Sequence, residues 1–135
     1  MFNDAFDYLP LSAIVEGKVF CVHGGLSPTI KTVDQICGLD RRMEIPDNGA
    51  LCDMMWSDPM EIEEWEANKR GVGWYFGSNP TDAFINRNNL SMIARAHQLV
   101  AEGYFYWFDK KLVTVWSAPN YCYRVGNKAA IMKLS

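Results

Sequence analysis

The chain has 135 residues, 49% of them hydrophobic and 21% charged, with a formal net charge of −3. That is the composition of one globular domain, not of a disordered chain. The acidic balance speaks against a nucleic-acid surface, which needs a basic patch. No apolar run reaches the roughly 18 residues of a membrane span, and no charged-then-apolar leader opens the chain. Neither nucleic acid nor membrane is therefore an expected partner.

Four cysteines, Cys21, Cys37, Cys52 and Cys122, show neither CxxC spacing nor the density of a disulfide scaffold. They read as reduced thiols, which implies a cytoplasmic location, with the nucleus as a further one.

In chain order, "SAIV" and "KVFCV" flank Glu16-Gly17 and predict two strands joined by a tight turn. In "TVDQICGLD", Thr32 with Gln35 three residues on makes a capping box that opens a short helix. "GALCDMMWSDP" reads as a loop and a short apolar segment stopped by Pro59. "EIEEWEANKRG" reads as an exposed stretch, acidic and then basic. Asn79 as cap and Pro80 at the first helical position open a helix in "NPTDAFINRNN". "LSMIARAHQLV" reads as a strand ending near His97, "YFYWF" and "LVTVW" as a hairpin around Asp109 to Lys111, and "AAIMKL" as a final strand. The sum is a mixed α/β chain of about six strands and two or three short helices, all within one domain over residues 1–135. The strands are apolar on both faces, as in a sheet covered on each side, and two short helices cannot cover that much sheet.

The two histidines, His23 and His97, each end an apolar run, and His23 is followed at once by Gly24 and Gly25. One such histidine is more often structural. Two placed alike point to a shared site, because neutral imidazole suits zinc, iron and manganese. Two ligands are still too few for a metal centre. Arg70, followed by Gly71 and Gly73, reads either as an exposed turn arginine or as a guanidinium fork for a phosphate. Tyr121 lies in the Pro/Asn/Gly-rich loop "SAPNYCYRVGN", either packed on the domain or at a functional loop. Asp53 and Asp58 flank Trp56 as possible acids, though loop hydrogen bonding is the plainer reading.

Taken together, "CVHGGLSP", "LCDMMWSDP", "RGVGWYFG", "ARAHQLV", "EGYFYWFD" and "VWSAPNYCYRVGN" closely resemble the phosphoprotein phosphatase family of metal-dependent serine/threonine phosphatases. The resemblance covers essentially the whole chain and is strongest to the type 2A-like branch, its type 6 and type 4 members first. It implies an α+β fold, part of the metallophosphoesterase β-sandwich flanked by helices. It also implies a centre of two divalent ions, manganese or iron and zinc. By position, His23 and His97 match ligands of one ion and Arg70 the arginine that holds the substrate phosphate. Tyr121 matches the tyrosine at the mouth of the site, and Tyr121 and Cys122 lie in the loop that contacts toxin inhibitors.

Several family features are missing or altered. The amino-terminal motifs "GDxHG", "GDxxDRG" and "GNHE", which carry the ligands of the other ion, the bridging aspartate and the general acid, are absent here. Val125 stands where the branch has cysteine, and "EANKRG" replaces "SPRG". The expectation is therefore the carboxyl-terminal part of a phosphatase catalytic domain. It would act on phosphoserine and phosphothreonine proteins and partner scaffold or regulatory subunits. The alternative is a truncated, non-catalytic relative that binds regulatory partners. On either reading the 135-residue chain alone is expected to be inactive.

Overall fold

The computed structural model describes residues 2–134. Its elements are α1 (Phe2–Phe6), β1 (Ser12–Val15), β2 (Val19–Val22), α2 (Val33–Cys37), α3 (Ala50–Trp56), β3 (Asp58–Pro59), β4 (Trp65–Ala67), β5 (Trp74–Phe76), α4 (Ser78–Arg87), β6 (Met92–Arg95), β7 (Tyr104–Trp107) and β8 (Leu112–Val115). A 3-10 turn follows at Tyr121–Tyr123. The chain is mixed α/β, as expected.

Five strands form one sheet in the order β1-β2-β6-β8-β7, and three form another in the order β3-β5-β4. The larger sheet is antiparallel at both edges, where the two hairpins lie. It is parallel in the middle, where β2 pairs β6 and β6 pairs β8.

The register explains the core. Phe20 pairs Ile93, and Ile93 pairs Leu112, so three apolar side chains stand in one row on one face. All three are fully buried and belong to one cluster with Met54 of α3, Phe76 of β5 and Phe84 and Ile85 of α4. Each such burial contributes about 1.5–3 kcal/mol. The core therefore lies between one face of the large sheet and a layer made of α3, α4 and the small sheet. The opposite face is covered only in part. Val19, Cys21, Ala94 and Val115 line an open groove of about 490 Å³, reached by Met132 and Leu134.

Several local expectations hold. β1 and β2 turn at Glu16 and Gly17, both in the left-handed region. Gln35 Oε1 accepts from the backbone N–H of Thr32 at 3.0 Å and of Lys31 at 2.6 Å, so the capping residue does hold the start of α2.

Others are corrected. "ALCDMMW" is a helix, not a loop. Its inner residues Leu51, Cys52 and Met54 are buried, and packing decides what a short apolar run leaves ambiguous. Trp65–Ala67, inside what the charge pattern presented as an exposed stretch, is a strand, paired antiparallel with Trp74–Phe76 just beyond that stretch. Pro59 does not merely stop a segment. It pairs Phe76 in the edge strand β3, a place where its missing N–H costs nothing. α4 begins at Ser78 with Gly77 as its cap, not Asn79, and Pro80 still falls in the first turn, where N–H groups have no helical partner. "AAIMKL" forms no strand and is held instead by contacts such as Ala130 N–H to Trp116 O at 2.9 Å.

Candidate active site

Parallel pairing brings the two histidines together. β2 and β6 run side by side with Cys21 opposite Ala94, so their carboxyl ends stop at the same sheet edge. Just beyond those ends, the N–H of Ala96 donates to the carbonyl of His23 at 3.0 Å and ties the two exits. His97 then takes a left-handed backbone, with φ of 57°, which turns its ring back across the edge. The result is an imidazole pair with His23 Nε2 3.0 Å from His97 Nδ1.

The glycines after His23 have a stated task. The N–H groups of Gly24 and Gly25 both donate to the carbonyl of Met54, at 2.9 and 3.1 Å, which has no helical partner so near the end of α3. A Cβ on Gly24 would come within 2.5 Å of the Met55 carbonyl carbon and oxygen, and one on Gly25 would meet the Phe76 ring. The turn can pass this close to α3 only without side chains. In consequence α3 sets Trp56 edge-on against the His97 ring, 5.1 Å between centroids.

Both imidazoles are neutral at pH 7. Burial pushes the His97 pKa down to about 4, with the Arg70 and Arg95 charges and His23 adding to it against the pull of Asp58. Burial, and then the Arg95 charge, lowers that of His23 as well. Neutral imidazole is the form that ligates metals. His23 Nε2 and His97 Nδ1 face one another, so an ion shared by the pair would lie on that side of the two rings, while the second nitrogen of His97, Nε2, is buried without a hydrogen-bond partner on the far side of its ring. The pair therefore fits as two donors of a divalent ion. Among the described residues, no group of three or more His, Cys, Asp or Glu is placed to hold one.

Asp58 shows why its carboxylate is not a ligand here. It is buried at the start of β3 and fully engaged. Oδ2 accepts from Arg70 Nε at 2.7 Å and Asn68 Nδ2 at 3.0 Å, and Oδ1 accepts from Arg95 Nη2 at 2.8 Å. Burial raises its pKa, but the Arg70 and Asn68 hydrogen bonds and the Arg95 and Arg70 charges outweigh that, and the carboxyl is held below the usual range. Asp53 differs. Buried on α3 and accepting from Ser27 Oγ at 2.7 Å, it has a raised pKa because burial outweighs its hydrogen bonds. Both carboxyls are taken up by hydrogen bonds that hold the local structure, the plainer of the two readings of the sequence.

Arg70 is thus anchored through Nε while its side chain stays 38% exposed, and its two terminal nitrogens make no hydrogen bond within the described residues. That is a guanidinium fork fixed at its base and open at its tip, the form that takes an oxyanion from two sides.

Tyr121 is not drawn into this cluster. The loop that carries it leaves β8, which is parallel to β6, so it starts from the same sheet edge. Its ring packs edge-on against Trp116 at 4.8 Å, its N–H donates to Asn127 Oδ1 at 2.8 Å, and it is 45% exposed. Cys122 beside it is an exposed free thiol, and Cys21, Cys37 and Cys52 are free as well. The residue that reading from sequence passed over is Arg95, buried at the end of β6. Its signal was present, since a charge in the apolar strand "MIARA" must find a partner when the strand is buried.

A family model described as calcineurin-like phosphoesterase matches residues 1–101. The chain belongs to the calcineurin-like phosphoesterase family. Among similar relatives, the serine/threonine-protein phosphatase 4 catalytic subunit of Eremothecium gossypii is 58% identical over 131 residues, and that of Saccharomyces cerevisiae 56% over 131 residues. Serine/threonine-protein phosphatase ppe1 of Schizosaccharomyces pombe is 60% identical over 130 residues. The two type 4 matches cover 97% of this chain and 42% of the relative, and the ppe1 match 96% and 43%. This phosphoesterase chain therefore spans less than half the length of the curated relatives it matches. A solved Saccharomyces cerevisiae protein serine/threonine phosphatase with similarity to human phosphatase PP5 superposes with a TM-score of 0.86 at 36% identity, covering 93% of this chain and 40% of that one.

Proposed function

We propose that this chain is the carboxyl-terminal part of the catalytic domain of a protein serine/threonine phosphatase, which hydrolyses phosphoserine and phosphothreonine in proteins. The observation that carries the reading is the histidine pair: two neutral imidazoles at the ends of parallel strands, with His23 Nε2 and His97 Nδ1 facing each other at 3.0 Å. Its setting in a phosphoesterase family chain gives the pair its meaning.

In this reading His23 and His97 hold one of two divalent ions, manganese or an iron and zinc pair. When bound, the ions supply a water of lowered pKa and a Lewis acid at the phosphoryl oxygens. The chain's own part is positional and electrostatic. Arg70, anchored through Asp58, offers its terminal nitrogens to the phosphoryl oxygens, where negative charge builds in the transition state. Trp56 against His97 keeps water from one side of the pair. Tyr121 stands at the mouth of the site, where a phosphoprotein substrate would enter. Free cysteines support a cytoplasmic or nuclear location, and scaffold or regulatory subunits are the expected partners.

The test compares the 135-residue chain with a version that includes the coding sequence upstream, both given a phosphothreonine peptide and manganese. The extended protein should turn over and lose activity to a chelator, while the short chain should not turn over, because only two donors converge among its described residues. Chelator-resistant hydrolysis, or none from the extended protein, would contradict the reading. In the second case binding of regulatory subunits without catalysis becomes the better account.

A further inference from the structure

The guanidinium of Arg95 touches both segments that carry the histidines and the carboxylate that anchors Arg70. It is 2% exposed. Its Nε donates to the carbonyl of Gly24 at 2.6 Å, next to His23. Nη1 donates to Gln98 Oε1 at 2.9 Å, next to His97. Nη2 donates to the Ser57 carbonyl at 3.2 Å and to Asp58 Oδ1 at 2.8 Å, and the other oxygen of that carboxylate holds Arg70. A guanidinium that only filled the core would have partners scattered through it. These partners all lie beside a site residue or are bonded to one.

The choice of side chain follows from geometry. Arginine carries five donors in one rigid plane and keeps its charge even when buried. It can hold two carbonyls, an amide and a carboxylate at fixed angles at once, whereas lysine's single ammonium cannot span them. Stability alone is a weak reason for such a pair, since an apolar pair of similar volume is often as stable or more so.

We propose that Arg95 is the positioning residue of this site, setting His23, His97 and Arg70 relative to one another through Gly24, Gln98 and Asp58. Its catalytic consequence rests on the phosphatase reading above. Its structural consequence does not.

The test is Arg95→Lys in the complete protein, with folding checked by circular dichroism. The kcat/KM for a phosphothreonine peptide should fall by about 10–100-fold, as is typical when a group that orients metal ligands is changed. Arg70→Ala should cost less in the Arg95→Lys background than alone, because the carboxylate that anchors Arg70 is then itself less firmly held. A second readout needs neither metal nor activity. In spectra of the 135-residue chain labelled with ¹⁵N-histidine, Arg95→Lys should move the ring signals of both His23 and His97. Lys111→Met, which removes the pair with Asp82, should leave both in place.

Folded Arg95→Lys with unmoved ring signals, or with costs that simply multiply with those of Arg70→Ala, would overturn the inference while leaving a working phosphatase intact. Moved signals in a protein with no phosphatase activity would overturn the proposed function and support Arg95 as the tie of the histidine pair. Should Arg95→Lys fail to fold, Gln98→Leu removes a single bond. It should move the His97 signal and lower kcat/KM by about tenfold, and unchanged kinetics there would overturn the inference as well.

Discussion

His23 Nε2 lies 3.0 Å from His97 Nδ1, although 74 residues separate the two in the chain. The contact exists because β2 and β6 are parallel neighbours that end at the same edge. If the pair holds an ion, losing either ring removes a ligand outright. His23→Ala and His97→Ala should each lower the phosphopeptide kcat of the complete protein by more than about 100-fold, beyond the usual cost of disturbing a ligand's support. Retention of most of the turnover by either variant would contradict the role.

Arg70 is fixed at Nε and open at its tip. Arg70→Ala should reduce kcat by about 10²–10³, the cost of one lost stabiliser of transition-state charge. Arg70→Lys should recover little of it, because a single ammonium cannot both bond Asp58 and reach two phosphoryl oxygens. A change confined to KM would instead mark Arg70 as a ground-state binding group.

The two glycines after His23 separate crowding from backbone strain. Gly24→Ala drives a methyl into the backbone of α3, where nothing flexible can give way, and should cost about 1–3 kcal/mol or more in denaturant unfolding. Gly17→Ala meets no atom within 4 Å but sits at φ of 64°, and should cost only about 1–2 kcal/mol from the left-handed backbone. Equal tolerance of both would show that the turn does not pass as close to α3 as described.

In the metal-free chain, stability should depend on His97 below neutrality. Its folded pKa is about 4 against an ordinary 6.5, so the unfolded chain takes up the proton first. Stability is then lost as pH falls from about 6.5 towards 4, because the unfolded state binds more protons over that window. Asp53, with its raised pKa, works in the opposite sense. The clean measurement is the difference between wild type and His97→Gln, in which Asp53 cancels. That difference should shrink in favour of the variant on acidification, and a difference independent of pH would refute the shift.

What could be read from sequence follows the range of the interactions. The Thr32–Gln35 box and the Glu16-Gly17 turn are local, and both are found as read. The small sheet was not legible. β3 has two residues, Glu66 lies on β4, and the strands are made by pairing with Phe76 and Tyr75, not by any period of their own. "AAIMKL" has the composition of a strand but no pairing partner. At the site, residue types betrayed the histidines, since a histidine ending an apolar strand is conspicuous. Asp58 was visible as an acid but not as a clamp, because its two arginines stand 12 and 37 residues away. Arg95 was hidden by the same distance.

The central claim is that His23 and His97 face one ion, and manganese tests it directly. They are the chain's only two histidines, so a ¹⁵N-histidine spectrum of the 135-residue chain shows one ring-signal set for each. Sub-stoichiometric manganese should broaden both sets together and to the same degree, and His97→Gln should abolish the broadening at His23. Broadening of one ring without the other, or of neither at millimolar manganese, would contradict a shared site.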